Sequence, residues 1–252
     1  MGKVSIIMPA YNCAKYITES IASVTAQTYT NWELLIVDDA STDNTQQVVE
    51  ELTKKDSRIK YIRLEKNSGA AVARNTAIEK ADGRYMAFLD SDDLWYPEKL
   101  KKQLGFMQKN GYSFTCTTYE WIDETGKPTG KIKKPFKRAD YNLCLYYGDP
   151  IGNSTVIYDA QALGKFFVPP IRKRNDFAMW LQVLKKEKYI YGLREVLASY
   201  RSRSDSLSKK KFGLLKYQWQ LYREIEKLNI IKASVAILTL FIRKAANAIC
   251  NK

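Results

Sequence analysis

Histidine is absent from all 252 residues. That excludes histidine triads, imidazole metal ligands and a histidine general base, and leaves carboxylate, Lys, Tyr and Cys for any acid-base step. Cysteine is scarce. Cys13, Cys116, Cys144 and Cys250 stand far apart, with no CxxC pair and no metal-ligand spacing, so they read as reduced thiols of a cytosolic protein. Glycine is thin, and the turn after the first apolar run, Pro9-Ala10-Tyr11-Asn12, has none. A dinucleotide-binding oxidoreductase would place Gly-x-Gly-x-x-Gly there, and a nucleotidyltransferase a Gly-rich basic loop. No apolar run reaches the roughly 20 residues of a membrane span. Met1-Gly2-Lys3 leads straight into a strand-like run, so no signal peptide is expected.

Negative charge is in deficit as well: 27 Asp and Glu stand against 41 Lys and Arg, a net charge of +14. Such an excess implies an anionic partner. It is concentrated late in the chain, where residues 201–252 hold 12 Lys and Arg but 3 Asp and Glu. Those basic residues sit in a largely apolar tail with no recognised nucleic-acid motif, so no nucleic acid is expected as a partner.

What is present is a regular alternation. Val4–Pro9, Glu33–Val37 and Tyr85–Leu89 are short apolar runs that read as strands, the first two buried, and Ile59–Leu64 alternates as a further strand. Helical spacing falls between them, over 14–27, 43–55 and 69–81, and Pro97 opens another helix to about Asn110. This order predicts a mostly parallel α/β sheet covered by helices, with ligands beyond the carboxyl ends of its strands. Further on, strands are expected near 113–122, 154–158 and 190–200, helices near 139–147 and 176–187, and an exposed loop over 123–138.

Four places carry candidate chemistry. Asp90-Ser91-Asp92 closes a strand, and two carboxylates at that spacing can converge on one hard cation bridging a diphosphate; a solvated capping turn is the plainer alternative. Asp39 closes another strand, where a carboxylate can accept from a base N–H or a ribose hydroxyl. Arg74 lies on an Ala-rich helix opened by Gly69, whose N-terminus could face phosphate. Asp176 stands at a helix start, where a plain N-cap is the competing reading.

These pieces occur together and in order. Val4–Asn12, Gln27-Thr28-Tyr29, Glu33–Ser41, Asn67–Asn75 and Phe88–Asp93, then more thinly Asn175-Asp176 and Tyr200–Ser208, resemble glycosyltransferase family 2. The resemblance implies a GT-A fold, a nucleotide-diphosphate sugar donor, Mn2+ or Mg2+, and inversion at the anomeric carbon. It places Pro9, Tyr11 and Asp39 on the base, Arg74 and Asp90 near the ribose and phosphates, and Asp92, with Asp90, on the metal. Asp176 becomes the general base. The family's Glu-Asp is Asn175-Asp176 here, and its Tyr-Arg-x-His is Tyr200-Arg201-Ser202-Arg203, which makes Arg201 and Arg203 candidate phosphate contacts.

Residues 1–205 are read as the catalytic domain, with a nucleotide-sugar half (1–94) and an acceptor half (95–205). Residues 206–252 form a basic tail: an amphipathic helix over 212–228 with Tyr217, Trp219 and Tyr222, then an apolar stretch over 230–242. The tail, starting with Ser206-Leu207-Ser208, is similar to bacterial enzymes that assemble O-antigen, lipooligosaccharide or capsule. That implies a UDP-sugar donor, glucose or galactose favoured, and an acceptor on polyprenyl diphosphate or another lipid; a UDP-N-acetylhexosamine transferase of the same fold or a non-catalytic nucleotide-binding relative is the alternative. The expected location is cytoplasmic, peripheral at the inner face of the membrane, with the tail on anionic headgroups.

Overall fold

A computed structural model describes residues 1–147, 150–203 and 211–250, without the side chains of 211–213 and 244–250. The boundary expected at 205/206 and the string Ser206-Leu207-Ser208 lie outside the described residues.

The first half follows the alternation: β1 (Val4–Ala10), α1 (Ala14–Thr25), β2 (Trp32–Asp38), α2 (Thr45–Thr53), β3 (Ile59–Arg63), α3 (Ala70–Lys80) and β4 (Tyr85–Phe88). A short β5 (Leu94–Trp95) and α4 (Lys99–Asn110) follow. Then come β6 (Phe114–Ile122), β7 (Pro128–Lys133), β8 (Arg138–Ala139), α5 (Tyr141–Tyr147), a 3-10 turn at Asn153–Thr155, β9 (Ile157–Asp159), α6 (Ala160–Leu163), α7 (Asn175–Lys186) and β10 (Ile190–Arg201). The tail holds α8 (Lys211–Gln220), a π-helical turn (Leu221–Ile225) and α9 (Ile230–Cys250).

All strands among the described residues join one sheet, in the order β3-β2-β1-β4-β9-β6-β10-β5, with β7 added on β6 and β8 on β10. β1 to β4 pair in parallel, β9 runs antiparallel between β4 and β6, and β10 is parallel to β6. The sheet is thus mostly parallel, as expected. Its strands alternate between two apolar layers, because successive side chains point to opposite faces. Ile7, Leu35 and Phe88 face α3, α5 and α7, whereas Ile6, Ile36 and Ala87 face α1, α2 and α4. Burial on both faces makes these strands continuous apolar runs.

Two expectations need correction. The stretch 123–138 is not all loop, since it carries β7 and β8. Asp123 Oδ1 accepts from Thr125 N and Lys127 N, and Gly126 takes φ +87°, so the segment turns back and pairs with β6. β7 is exposed and polar, and so carries no apolar alternation. The single helix expected over 212–228 ends at Gln220 and gives way to the π turn. There Tyr222 is fully buried and donates to Leu145 O at 2.6 Å, instead of lying on an amphipathic surface.

Candidate active site

The acidic loop after β4 is held by the 3-10 turn. Asn153 Nδ2 donates to Asp90 Oδ1 at 2.9 Å, and Asp90 N donates to Ser154 Oγ at 3.1 Å. Ser154 Oγ in turn donates to Asp93 Oδ2 at 2.5 Å. From behind, Trp95 Nε1 donates to Ser154 O and Gln103 Nε2 to Thr155 O. Sequence reasoning missed Asn153 and Ser154 and took residue 154 for a strand start. The available signal was three polar residues directly before the buried run Val156–Tyr158. Asp93 is fully buried, and burial, then the charges of Asp92 and Asp90, push its carboxyl well above the usual range. Burial and Asp90 also raise Asp92, against the opposing pull of Arg203.

Arg74 joins this loop to the candidate base. Its Nη2 donates to Asp90 Oδ1 at 2.7 Å and its Nη1 to Asn175 Oδ1 at 3.2 Å. Burial opposes its charge, yet Asp90, Asp176 and Asp92 outweigh that and raise its pKa. Asn175 Oδ1 also accepts from Asp176 N at 2.7 Å. So the amide at the position of the family's Glu fixes both Arg74 and the first turn of α7. Asp176 stands in that turn, half-buried.

At the carboxyl ends of β1 and β2, the paired aspartates part company. Asp38 is buried and accepts from Ser41 N, Ser41 Oγ and Tyr61 Oη. Asp39 turns the other way and accepts from Ser68 N at 2.6 Å and Gly69 N at 2.7 Å, tying down the loop before α3. Gly69 has φ +91°, which favours glycine. Asp39 N donates to Ala10 O, so Pro9 and half-exposed Tyr11 end beside Asp39. Pro9 is tolerated in β1 because pairing with β4 stops at Ile7.

Backbone strain gathers at the same places. Asn12 follows Tyr11, Ala40 follows Asp39 and Arg174 precedes Asn175; these three are left-handed at φ 47°, 57° and 64°, and a fourth such residue, Lys227, lies apart in the tail. Such conformations in non-glycine residues cluster at functional sites.

Arg201 is a correction. It was a candidate phosphate contact, but it is buried: Nε donates to Asp92 O at 2.8 Å, Nη1 to Glu124 O and Nη2 to Glu19 Oε2 at 2.6 Å, while its own N donates to Asp93 Oδ1. It braces the acidic loop against α1. Arg203 lies outward, with Nη1 donating to Asp92 Oδ2 at 3.2 Å.

The donor set for a metal is oxygen only, as Mn2+ and Mg2+ require. Among the described residues no group of three or more Asp, Glu, His or Cys could hold an ion. Two carboxylates, Asp90 and Asp92, fit a cation whose other ligands are diphosphate oxygens and water.

The sequence profile of Glycosyl transferase family 2 matches residues 5–165. The chain belongs to this family. It is 43% identical over 246 residues to a Bacillus subtilis (strain 168) glycosyltransferase, TuaG, provisionally named for teichuronic acid biosynthesis, covering 98% of this chain and 96% of that one. It is also 43% identical over 219 residues, 86% of this chain and 84% of the other, to WfgD of Escherichia coli, named a UDP-Glc:alpha-D-GlcNAc-diphosphoundecaprenol beta-1,3-glucosyltransferase. Among solved structures, S. aureus TarS (residues 1–349, with UDP) superposes with TM-score 0.68 at 22% identity, over 95% of this chain and 70% of that one. A Pyrobaculum calidifontis mannosyltransferase with GDP-Man and Mn2+ superposes with TM-score 0.68 at 17% identity, over 98% and 75%. The fold of this family 2 glycosyltransferase is therefore GT-A. The profile match reaches Asp39, Arg74, Asp90 and Asp92 but stops short of Asp176 and Arg203.

Proposed function

We propose that this enzyme transfers a hexose, glucose or galactose favoured, from a UDP-sugar to a saccharide on polyprenyl diphosphate, inverting to a beta linkage during surface polysaccharide assembly. The observation that carries the reading is the placement of Arg74, which bonds both Asp90 of the acidic loop and Asn175 beside Asp176. It supports a reading in which a donor-diphosphate end and a base share one site. The name of WfgD supports glucose and a GlcNAc-diphosphoundecaprenol acceptor.

In this reading Pro9, Tyr11 and Asp39 take the uracil and ribose. Asp90 and Asp92 would hold Mn2+ or Mg2+, which when bound neutralises charge on the leaving diphosphate. Asp176 accepts the proton of the acceptor hydroxyl. The hydroxyl oxygen bonds the anomeric carbon as the bond to the diphosphate oxygen breaks, and UDP leaves with that electron pair. One displacement gives inversion.

The acceptor lipid calls for a membrane surface. α9 docks through Ala233 and Ala236 and leaves Ile231, Val235, Leu238 and Ile242 exposed as a stripe, with Lys232 exposed beside it. No helix among the described residues is long and apolar enough to cross a membrane. The stripe with its flanking cations suits a helix lying in the interface of an anionic bilayer, at the inner face of the cytoplasmic membrane.

A panel of UDP-sugars with Mn2+ and a short-chain GlcNAc-diphosphate lipid tests the proposal by UDP release. Acceptor-stimulated release from UDP-glucose or UDP-galactose, lost in Asp92→Ala, is expected. Release only from a UDP-N-acetylhexosamine would replace the hexose assignment, and failure of UDP to bind would remove the donor.

A further inference from the structure

We propose that Arg203 occupies Asp92 while the donor site is empty and passes to the donor diphosphate when it fills, so that the divalent cation enters only with the nucleotide. The inference rests on the donor reading above. Three arginines serve the acidic loop, and they differ. The side chains of Arg74 and Arg201 are 9% and 0% exposed. Arg203 follows the end of β10, and its side chain and that of Asp92 are 21% and 25% exposed. Its guanidinium lies 5.1 Å from the ring centre of Tyr16, and that of Arg201 lies 4.9 Å from the same centre. Arg203 is therefore the one of the three placed to exchange partners.

The need for a cation there is local. Arg74 pairs with Asp90 and Arg201 holds the loop's backbone, but the carboxylate of Asp92, between Asp90 and Asp93, calls for a positive charge of its own. Arg203 supplies that charge. A diphosphate is the stronger partner for a guanidinium, since it offers more negative charge and paired oxygens in fork geometry. Its arrival draws Arg203 away and frees Asp92 Oδ2, while its own oxygens complete a coordination shell that two carboxylates cannot fill. Nucleotide and metal then favour each other's binding by the same factor, as linkage requires.

Mn2+ binding by electron paramagnetic resonance without nucleotide, and UDP binding by calorimetry with Mn2+ and with EDTA, test this on the full chain, Arg203→Gln and Arg203→Lys. In Arg203→Gln, Mn2+ alone should bind about ten-fold tighter and UDP in EDTA about ten-fold weaker, so the coupling shrinks. Arg203→Lys, keeping the charge, should stay nearer the parent on both. Unchanged Mn2+ affinity in Arg203→Gln overturns the exchange, even if UDP binds more weakly, because a plain phosphate contact does only that. If UDP binds normally and neither value moves, the exchange fails and the donor reading stands. If the parent protein binds no UDP with Mn2+, both fail.

Discussion

Asp176 sits on the first turn of a helix whose amides favour an anion, and its backbone N–H is already held by Asn175. Replacing it by Asn preserves size and polarity but removes the proposed proton acceptor. Asp176→Asn is expected to lower turnover about 100-fold or more while UDP affinity stays level, read from kcat beside calorimetry. Ser154 is different, because it touches no proposed substrate group. Its hydroxyl stands between Asp90 N and the buried Asp93 carboxyl. Ser154→Ala leaves both without that partner and should cost about 1–3 kcal/mol in urea denaturation. Ala40 holds φ 57° so that Ser41 can reach back to Asp38 while Asp39 turns to the loop before α3. Ala40→Gly relieves a steric cost of about 1–2 kcal/mol, part of it offset by greater freedom of the unfolded chain, and should raise the melting temperature without loss of UDP binding.

At the scale of elements, α9 has a docked face and an exposed face. Ala236→Leu overpacks the docked face of α9 and should destabilise by about 1–3 kcal/mol. Ile231→Ser with Leu238→Ser changes the exposed face alone. Stability should then stay within about 0.5 kcal/mol, while co-sedimentation with anionic vesicles falls several-fold. Equal sedimentation would remove the membrane role of this face. The same contrast explains what could be read from sequence. β1, β2 and β4 were legible because both of their faces are buried, which forces unbroken apolar runs, whereas β3 at the sheet margin showed only as an alternation of apolar and charged residues. β5 is two residues long and β7 is polar, so neither leaves a periodic trace. Tyr222 in an apparent amphipathic helix and Arg201 in an apparently basic string gave no sign of turning inward, because burial of a single polar side chain depends on partners distant in sequence. For Arg201 these are Glu19, Asp92 and Glu124. Asp39, Asp90 and Asp176 stood out because each lies at an element end, where the α/β architecture gathers ligands, and Arg74 because it is the one cation in the Ala-rich first turns of α3.

For the whole molecule, one buried charge sets a pH dependence. Lys99 is fully buried, donates to Gln103 Oε1 and lies 4.1 Å from the Trp95 ring centre. Burial holds its pKa well below 10.5. Between that depressed value and the ordinary lysine pKa, the unfolded chain binds a proton that the folded chain releases. Stability from this group therefore rises with pH through that window. Lys99→Met should remove the rise, with a gain on the order of 1 kcal/mol at pH 7 that shrinks toward pH 10 in parallel denaturation curves.

The position of β9 has a consequence for how the chain is made. β4 ends at Phe88, yet its partner on the open side is β9, which begins only at Ile157. While a ribosome adds the intervening residues, β4 is a finished, apolar strand with an unpaired edge. Nor can α4 and β5 close it, since β5 pairs with β10 at the far margin. A nascent enzyme thus spends much of its synthesis with a template for unwanted strand pairing at the middle of its future sheet. Fragments stopping before residue 157 should need a chaperone to stay in solution, and those reaching past Asp159 should need it less.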